Sequence, residues 1–376
     1  MSNVYLVIKK FSDKGGAELF CYSLFEYLKK QNYNVQVICG VNKTKLKSNI
    51  HEIGLPHLGR FIKTWIFAKK AGRLLNSLPA GSISLSFGSL PGCDIYRTGG
   101  VHKEFLCKSI QGYRGIRKVK KTISRFFNPI NWYGPVLDRK IYTHKGTSCF
   151  LAISSMAAEE IKTHYNIPDK KIKIIPNGVD TSRFYKISTS QRQKAREQLN
   201  LLPNQKAVGF SATNFELKGL RYALHALTKL PENYILIVSG NRKIRRYDKL
   251  AKSLGVSKKV KFIGYVNNPS VFYSALDVFC HPSAYDTFAN VVSEALAMGI
   301  PVVTTTHVGA STFIREGING FVLSLPQIKN KLWQKIMAAT NITSWDKSQL
   351  WIPSQETIFL EYISTIDNLL KENETI

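Results

Sequence analysis

At 376 residues, 44 % hydrophobic and 21 % charged, the chain is too long for one ordinary α/β domain and apolar enough to fill two cores, which excludes a disordered or low-complexity protein. Lys and Arg number 53 against 25 acidic residues, a formal charge of +28 that attracts nucleic acid, an anionic membrane or phosphorylated substrates without choosing among them. Six cysteines (Cys21, Cys39, Cys93, Cys107, Cys149 and Cys280) without C-x-x-C pairs or His-rich spacing argue against a disulfide framework or zinc site, and for a reducing compartment.

The N-terminus, MSNVYLVIKK, holds a strand-like run, Val4–Ile8, too short for a signal-peptide core or membrane span. No later segment approaches a span either, so a soluble or peripheral protein is expected. The loop Lys14-Gly15-Gly16-Ala17-Glu18 leads into a helix near Ala17–Lys30. Its glycines let backbone approach a ligand and the helix start supplies N–H donors, although a tight structural turn explains them equally well. Further strands are expected at Val35–Cys39, Ile83–Phe87, Phe150–Ile153 and Ile172–Pro176. Between them, Tyr113, Ile116, Val119, Ile123 and Phe126 recur near helical spacing. Arg114, Arg117, Lys118, Lys120, Lys121 and Arg125 fill the other face, with Trp132 and Tyr133 just beyond. Residues 113–127 thus suit an anionic bilayer or an anionic acceptor, or simply form a charged surface helix.

The rhythm breaks at Pro176-Asn177-Gly178-Val179-Asp180, and a polar stretch covers Ser188–Asn200. Strands resume at Ala207–Ser211, Tyr234–Ser239, Val260–Ile263, Asp277–Cys280 and Pro301–Thr304, and a helical pattern closes the chain at Glu356–Leu370. This alternation predicts two Rossmann-like halves, with the cleft between them as the default ligand site. In the second half Lys218, in Asn214-Phe215-Glu216-Leu217-Lys218-Gly219, is suited to neutralising a departing diphosphate, unless it is merely a solvated lysine. From His281-Pro282-Ser283 to Gly299-Ile300-Pro301, a strand end, a loop with Asp286 and a helix with Glu294 follow one another. N–H groups at the helix start, near Phe288, Ala289, Asn290 and Val291, favour an anion, and the eight-residue interval spans roughly 12 Å if mostly helical.

This stretch resembles the E-x7-E region of retaining GT-B glycosyltransferases, with Asp286 in place of the first Glu and Ala289 in place of a Gly. The resemblance implies an α/β GT-B fold of two Rossmann-like domains facing a central cleft. Residues 1–180 would bind acceptor and 181–354 the nucleotide sugar, with a C-terminal helix at about 355–376 packing back on the first. By resemblance, Asp286 contacts sugar hydroxyls, Glu294 the ribose, Gly15 and Gly16 the donor phosphates, and Val266, after Gly264-Tyr265, the base. An Arg usual near Ser211-Ala212-Thr213 is missing, and Arg183 is expected to supply that charge. The Leu90–His102 segment, with its P-G-x-D-x-Y pattern, is similar to the lipopolysaccharide core α-1,3-glucosyltransferases, and places Asp94 and His102 in the acceptor–donor cleft. That likeness implies UDP-glucose as donor, a lipid-linked phosphorylated heptose acceptor, retention by front-face attack and no metal or other cofactor. It also implies a bacterial cytoplasmic enzyme held peripherally at the inner membrane.

Rival classes have less behind them. A glycosyltransferase for another surface glycan shares the motifs. A basic nucleic-acid-binding protein fits the charge but lacks a helix-turn-helix, zinc or RNA-binding signature. An NAD-dependent oxidoreductase would need G-x-G-x-x-G where the first loop reads Lys14-Gly15-Gly16.

Overall fold

Apolar runs buried on both faces make the central strands of two all-parallel sheets. The computed structural model describes residues 3–185, 187–240, 244–345 and 352–374. The chain divides into two compact units, one of Met1–Leu106, Lys120–Pro176 and Glu356–Ile376, the other of Cys107–Val119 and Asn177–Gln355.

The first unit contains β1 (Asn3–Phe11), β2 (Asn34–Asn42), β3 (Ile50–Glu52), β4 (Ile83–Ser86), β5 (Ile95–Thr98), β6 (Cys149–Ala152) and β7 (Ile172–Ile174). Their order across the sheet is β3-β2-β1-β4-β5-β6-β7. Helices α1 (Ala17–Lys30), α2 (Arg60–Leu75), α3 (His102–Ser109), α4 (Gly115–Phe126), α5 (Pro129–Tyr142) and α6 (Ser155–Tyr165) connect them, with α4 crossing the division between units. Val4, Leu6 and Ile8 face one core, shared with α1, while Tyr5 and Val7 face another, shared with α2.

The second unit contains β8 (Lys206–Ala212), β9 (Tyr234–Gly240), β10 (Val260–Gly264), β11 (Val278–His281), β12 (Val302–Thr305) and β13 (Gly320–Leu323), in the order β10-β9-β8-β11-β12-β13. Its helices are α7 (Thr189–Gln198), α8 (Leu220–Leu227), α9 (Arg245–Ser253), α10 (Pro269–Ser274), α11 (Asn290–Ala297) and α12 (Leu325–Thr340). The last helix, α13 (Gln355–Glu374), returns to the first unit, where Ile358, Phe359, Tyr362 and Ile366 join the α1 core. There the buried Arg97 donates through Nε to the Tyr362 hydroxyl at 3.0 Å.

Both sheets reverse their strand order once, between β1 and β4 and between β8 and β11. In open parallel sheets, ligands bind outside the carboxyl ends of the strands at such a reversal. Among the described residues, no helix is long and apolar enough to cross a membrane.

Candidate functional site

The loops leaving the C-terminal ends of β8 and β11 flank the reversal of the second sheet, and they carry Lys218 and Asp286. Neighbouring backbone locks the two loops together. Leu217 O accepts from Ala284 N at 2.9 Å, and Gly219 lies so close to Pro282 that an added Cβ would stand 2.1 Å from its carbonyl oxygen. On this frame Lys218 Nζ donates to Asp286 Oδ2 at 2.5 Å and to the Tyr285 carbonyl at 3.2 Å. An ammonium has three donors, so among the described residues one N–H remains for a ligand oxygen. The fully buried His281 brings Nε2 within 3.4 Å of the same Asp286 oxygen, while its Nδ1 has no partner among the described residues. Burial pushes the Asp286 carboxyl up, but Lys218 and His281 outweigh it and hold the group well below the usual carboxylate range. Burial also pushes the His281 ring down, which keeps it neutral near pH 7.

The Asp286 loop is braced from outside as well: Asp286 N donates to His307 O, Gly309 N to Asp286 O, and Ala310 N to Phe288 O, each at 2.8–2.9 Å. Phe288 is buried against Phe313. Ala289 then adopts φ 69° and ψ 77°, the left-handed conformation that favours glycine, and α11 begins at Asn290. The interval from Asp286 to Glu294 is therefore a loop followed by one turn, not the mostly helical span expected from spacing. Phe288 N points to Asp286 Oδ1 at 3.3 Å, so of the expected helix-start donors it already has an acceptor inside the loop. Asn290 Oδ1 accepts from Asn177 Nδ2 at 2.7 Å, and the Val291 carbonyl from the Tyr273 hydroxyl at 3.3 Å.

Glu294 is one turn into α11. The Tyr273 hydroxyl, on α10, also donates to Glu294 Oε2 at 2.8 Å. Burial raises the Glu294 carboxyl, while Tyr273 and the Arg183 charge pull it back only in part. Arg183 thus acts on Glu294, and its guanidinium lies over the Phe184 ring, 5.6 Å from the centroid. The structure gives it no ion pair with Asp286, and the charge beside Asp286 comes from Lys218. Val266, just beyond β10, is half-buried, after Gly264 at φ 69°.

The first-unit candidates divide differently. Gly15 and Gly16 lie between β1 and α1, at the reversal of the first sheet. Gly15 requires its freedom at φ 108°, and a Cβ on Gly16 would meet nothing within 4 Å. The His102 ring rests on Gly134 of α5, with its Nε2 buried and without a hydrogen bond of normal geometry among the described residues. Its backbone N donates to Asp138 Oδ2 at 2.6 Å, and burial pushes the ring pKa down. Asp94 is a correction. It immediately precedes β5, at the amino ends of the strands, and its Oδ2 accepts from Ser84 N at 2.8 Å and Ser84 Oγ at 2.6 Å. The carboxylate pins β4 to β5, so the structure gives it a structural post instead of the catalytic one expected.

His281 and Tyr273 are the residues that sequence reasoning did not single out. The histidine stood in the motif as a strand end. Nothing marked the tyrosine, because its partner Glu294 lies 21 positions away.

Residues 14–183 match the family Glycosyltransferase Family 4, and residues 191–339 match Glycosyl transferases group 1. The lipopolysaccharide glucosyltransferase WaaG of Escherichia coli is 25 % identical over 263 residues, covering 69 % of this chain and 67 % of that protein. The lipopolysaccharide core biosynthesis glycosyltransferase LpsE of Rhizobium meliloti is 30 % identical over 156 residues, 42 % of this chain and 44 % of its own length. An uncharacterized glycosyltransferase of Methanocaldococcus jannaschii is 31 % identical over 176 residues, 45 % of each chain. The chain thus spans less than half of two of these relatives and about two thirds of the other. The crystal structure of WaaG superposes with a TM-score of 0.73 at 21 % identity, covering 90 % of this chain and 92 % of that one. That of Anabaena HepE in complex with UDP and glucose gives 0.68 at 20 %, covering 98 % and 100 %. Both share the two-sheet fold.

Proposed function

The chain belongs to the group 1-type glycosyltransferases of the GT-B fold, and from that premise we propose that it moves glucose from UDP-glucose to a phosphorylated heptose of a lipopolysaccharide-type inner core, with retention at the anomeric carbon. The observation that carries the reading is the Lys218–Asp286 pair, at 2.5 Å, on the carboxyl ends of β8 and β11 where the second sheet reverses. There the third Lys218 N–H meets the leaving diphosphate. Asp286 Oδ1 meets sugar hydroxyls, and Glu294 Oε1, left open by Tyr273, meets the ribose. The anomeric C–O bond to the diphosphate breaks on the face where the acceptor oxygen attacks, and the acceptor proton passes to the departing phosphate. Charge on the leaving group is then neutralised by Lys218, so no metal or other cofactor is assigned. WaaG and LpsE, named for lipopolysaccharide glucosyl and core transfer, support the acceptor class, and the UDP and glucose bound by HepE support the donor.

The deciding experiment incubates the purified chain with UDP-, GDP- and ADP-sugars and an inner-core acceptor, and follows nucleotide release and product mass. Turnover with UDP-glucose is expected, and none with any donor sinks the reading. Glu294→Ala is expected to weaken UDP binding by about tenfold or more, the scale of a lost charged hydrogen bond. UDP titration of parent and variant checks it.

Helix α4 supports a membrane-borne acceptor on the cytoplasmic face of a bacterial membrane. None of its residues is buried, and Ile116, Val119, Ile123 and Phe126 are 53–73 % exposed among basic neighbours. Phe127 and Trp132 extend the apolar ridge, with the Trp132 indole donating to the Phe126 carbonyl at 2.6 Å. In vesicle sedimentation, phosphatidylglycerol membranes are expected to retain the protein and phosphatidylcholine ones to release it. The Ile123→Asp, Phe126→Ser variant should lose at least about tenfold in retention, because roughly 1.5–3 kcal/mol accompanies each large apolar side chain removed from water. Equal retention of both forms by anionic vesicles would count against α4 as the contact.

A further inference from the structure

A groove of about 280 Å³ runs along the second unit between α8 and α12. Its charge-bearing wall is Arg114, Arg221, His225, Lys229 and Lys329, with Tyr222 between them, and none of the residues lining it is acidic. A net charge of +28 makes scattered cations unremarkable, so the arrangement decides the matter. Nearby, Arg246 and Arg117 share Glu216, which shows how this surface treats a cation that has a structural partner. The side chains of Arg221, Lys229 and Lys329 make no hydrogen bond or ion pair among the described residues. Arg221 and His225 stand at i and i+4 on one face of α8, and Lys229 follows just past its end, so the three line one wall of the groove. Arg221 also stands in the first turn of α8, where the helix dipole disfavours a cation. Arg114 is held over the groove by its 3.2 Å bond to the Tyr222 hydroxyl and its stacking on that ring.

We propose that this groove is a binding site for a phosphomonoester or similarly small phosphate-bearing anion, separate from the donor site. Arg221, Lys229 and Lys329, without an ion pair among the described residues and gathered with Arg114 in one concavity, are stabilised together by a single anion. Concavity and size favour a small phosphate over a flat polyanion. The groove shares no lining residue with the Lys218–Asp286 pair, so it stands or falls independently of the transferase reading. His225 supplies a built-in reporter. Burial first, then the Arg221 and Arg114 charges, hold its ring below the usual imidazole value. The other groups facing it in the groove are Tyr222, Lys229 and Lys329. A bound phosphate reverses that field and moves the ring upward.

The test titrates the full-length protein with inorganic phosphate at constant ionic strength while NMR follows the His225 ring, and repeats it on Lys229→Gln, Lys329→Gln and on Arg221→Gln. The expected result is saturable binding with an upward shift of the His225 pKa, weakened about tenfold or more in each variant, since charged hydrogen bonds are worth that much. The parent measurement needs no variant to fold. A phosphate titration that leaves His225 unmoved, or moves it no more than chloride does, overturns the proposal. So does binding that survives both variants, or variant-sensitive binding of RNA without phosphate binding. Vesicles separate the sources: preference for phosphatidic acid over phosphatidylglycerol at equal surface charge, abolished by free phosphate, identifies a lipid headgroup. No preference alongside phosphate binding identifies a soluble phosphate.

Discussion

Replacing Lys218 by alanine is expected to lower turnover of the nucleotide sugar by about 10²–10³-fold, with a much smaller change in the KM for donor. The scale is that of removing one preorganised donor aimed at developing negative charge. Lys218 is suited to that role because its position is fixed before any ligand arrives, by Asp286 Oδ2 at 2.5 Å and the Tyr285 carbonyl at 3.2 Å. An interaction that strengthens as the sugar–phosphate bond breaks shows in kcat, whereas one made equally in ground and transition states shows in KM. Lys218→Arg keeps the charge but not the geometry and is expected to recover activity only in part. A kcat within threefold of the parent for Lys218→Ala would remove this lysine from the chemistry. The same substitution has a pH signature. Asp286 is held below its unfolded value, so the stability it contributes is fully present above about pH 4 and is lost as pH falls through the folded value. In Lys218→Ala, burial of that carboxylate is opposed by no full charge, only by His281 and the Phe288 N–H among the described residues. The difference in thermal stability between parent and variant should therefore be full above about pH 4 and shrink below it, closing only as pH falls through the depressed folded value of the parent, where the acid is protonated in both.

That pairing is also where sequence reading reaches its limit. Strands β1, β8 and β9 are legible because neighbours on opposite faces are equally buried, Leu6 with Val7, Ala207 with Val208 and Leu236 with Ile237, so a run without alternation signals a strand covered on both faces. Strand β5 was not anticipated. It reads Ile-Tyr-Arg-Thr, with Arg97 buried under Phe20 and Phe87 and bonded to Tyr362, 265 positions away. A charged residue in a four-residue run looks like loop until its distant partner is known. Strands β3 and β13 were missed for a plainer reason: three or four residues on the sheet edges carry too little pattern. At the site, the residue types and the loops that carry them were readable from the motif. What joins them was not, because Lys218 and Asp286 are 68 positions apart and meet only through the adjacency of β8 and β11. Asp94 failed in the opposite sense. Its motif was readable, but nothing local shows that it precedes its strand and is therefore at the wrong end of the sheet.

Gly219→Ala is expected to have the largest effect on stability, a loss of more than about 2 kcal/mol together with most of the activity. Two costs combine. At φ 82° the residue is left-handed, which costs an L-residue roughly 1–2 kcal/mol. Its Cβ would also stand 2.1 Å from the Pro282 carbonyl oxygen, and no rotamer relieves an overlap with backbone. To accommodate it the Lys218 loop must move away from the Asp286 loop, which breaks the bond between Leu217 and Ala284 and takes Lys218 out of reach. Ala289 offers the converse in the same site. It already pays left-handed strain at φ 69°, so Ala289→Gly is expected to raise stability by up to about 1 kcal/mol, less what its buried methyl contributes, while leaving the loop where it is. Urea denaturation of the two variants beside the parent, with donor turnover measured on each, separates the effects. If the loops merely lie near one another, Gly219→Ala will lose stability from its backbone conformation alone and keep its activity. If they are one rigid support, stability and activity will fall together at residue 219 while residue 289 changes stability alone.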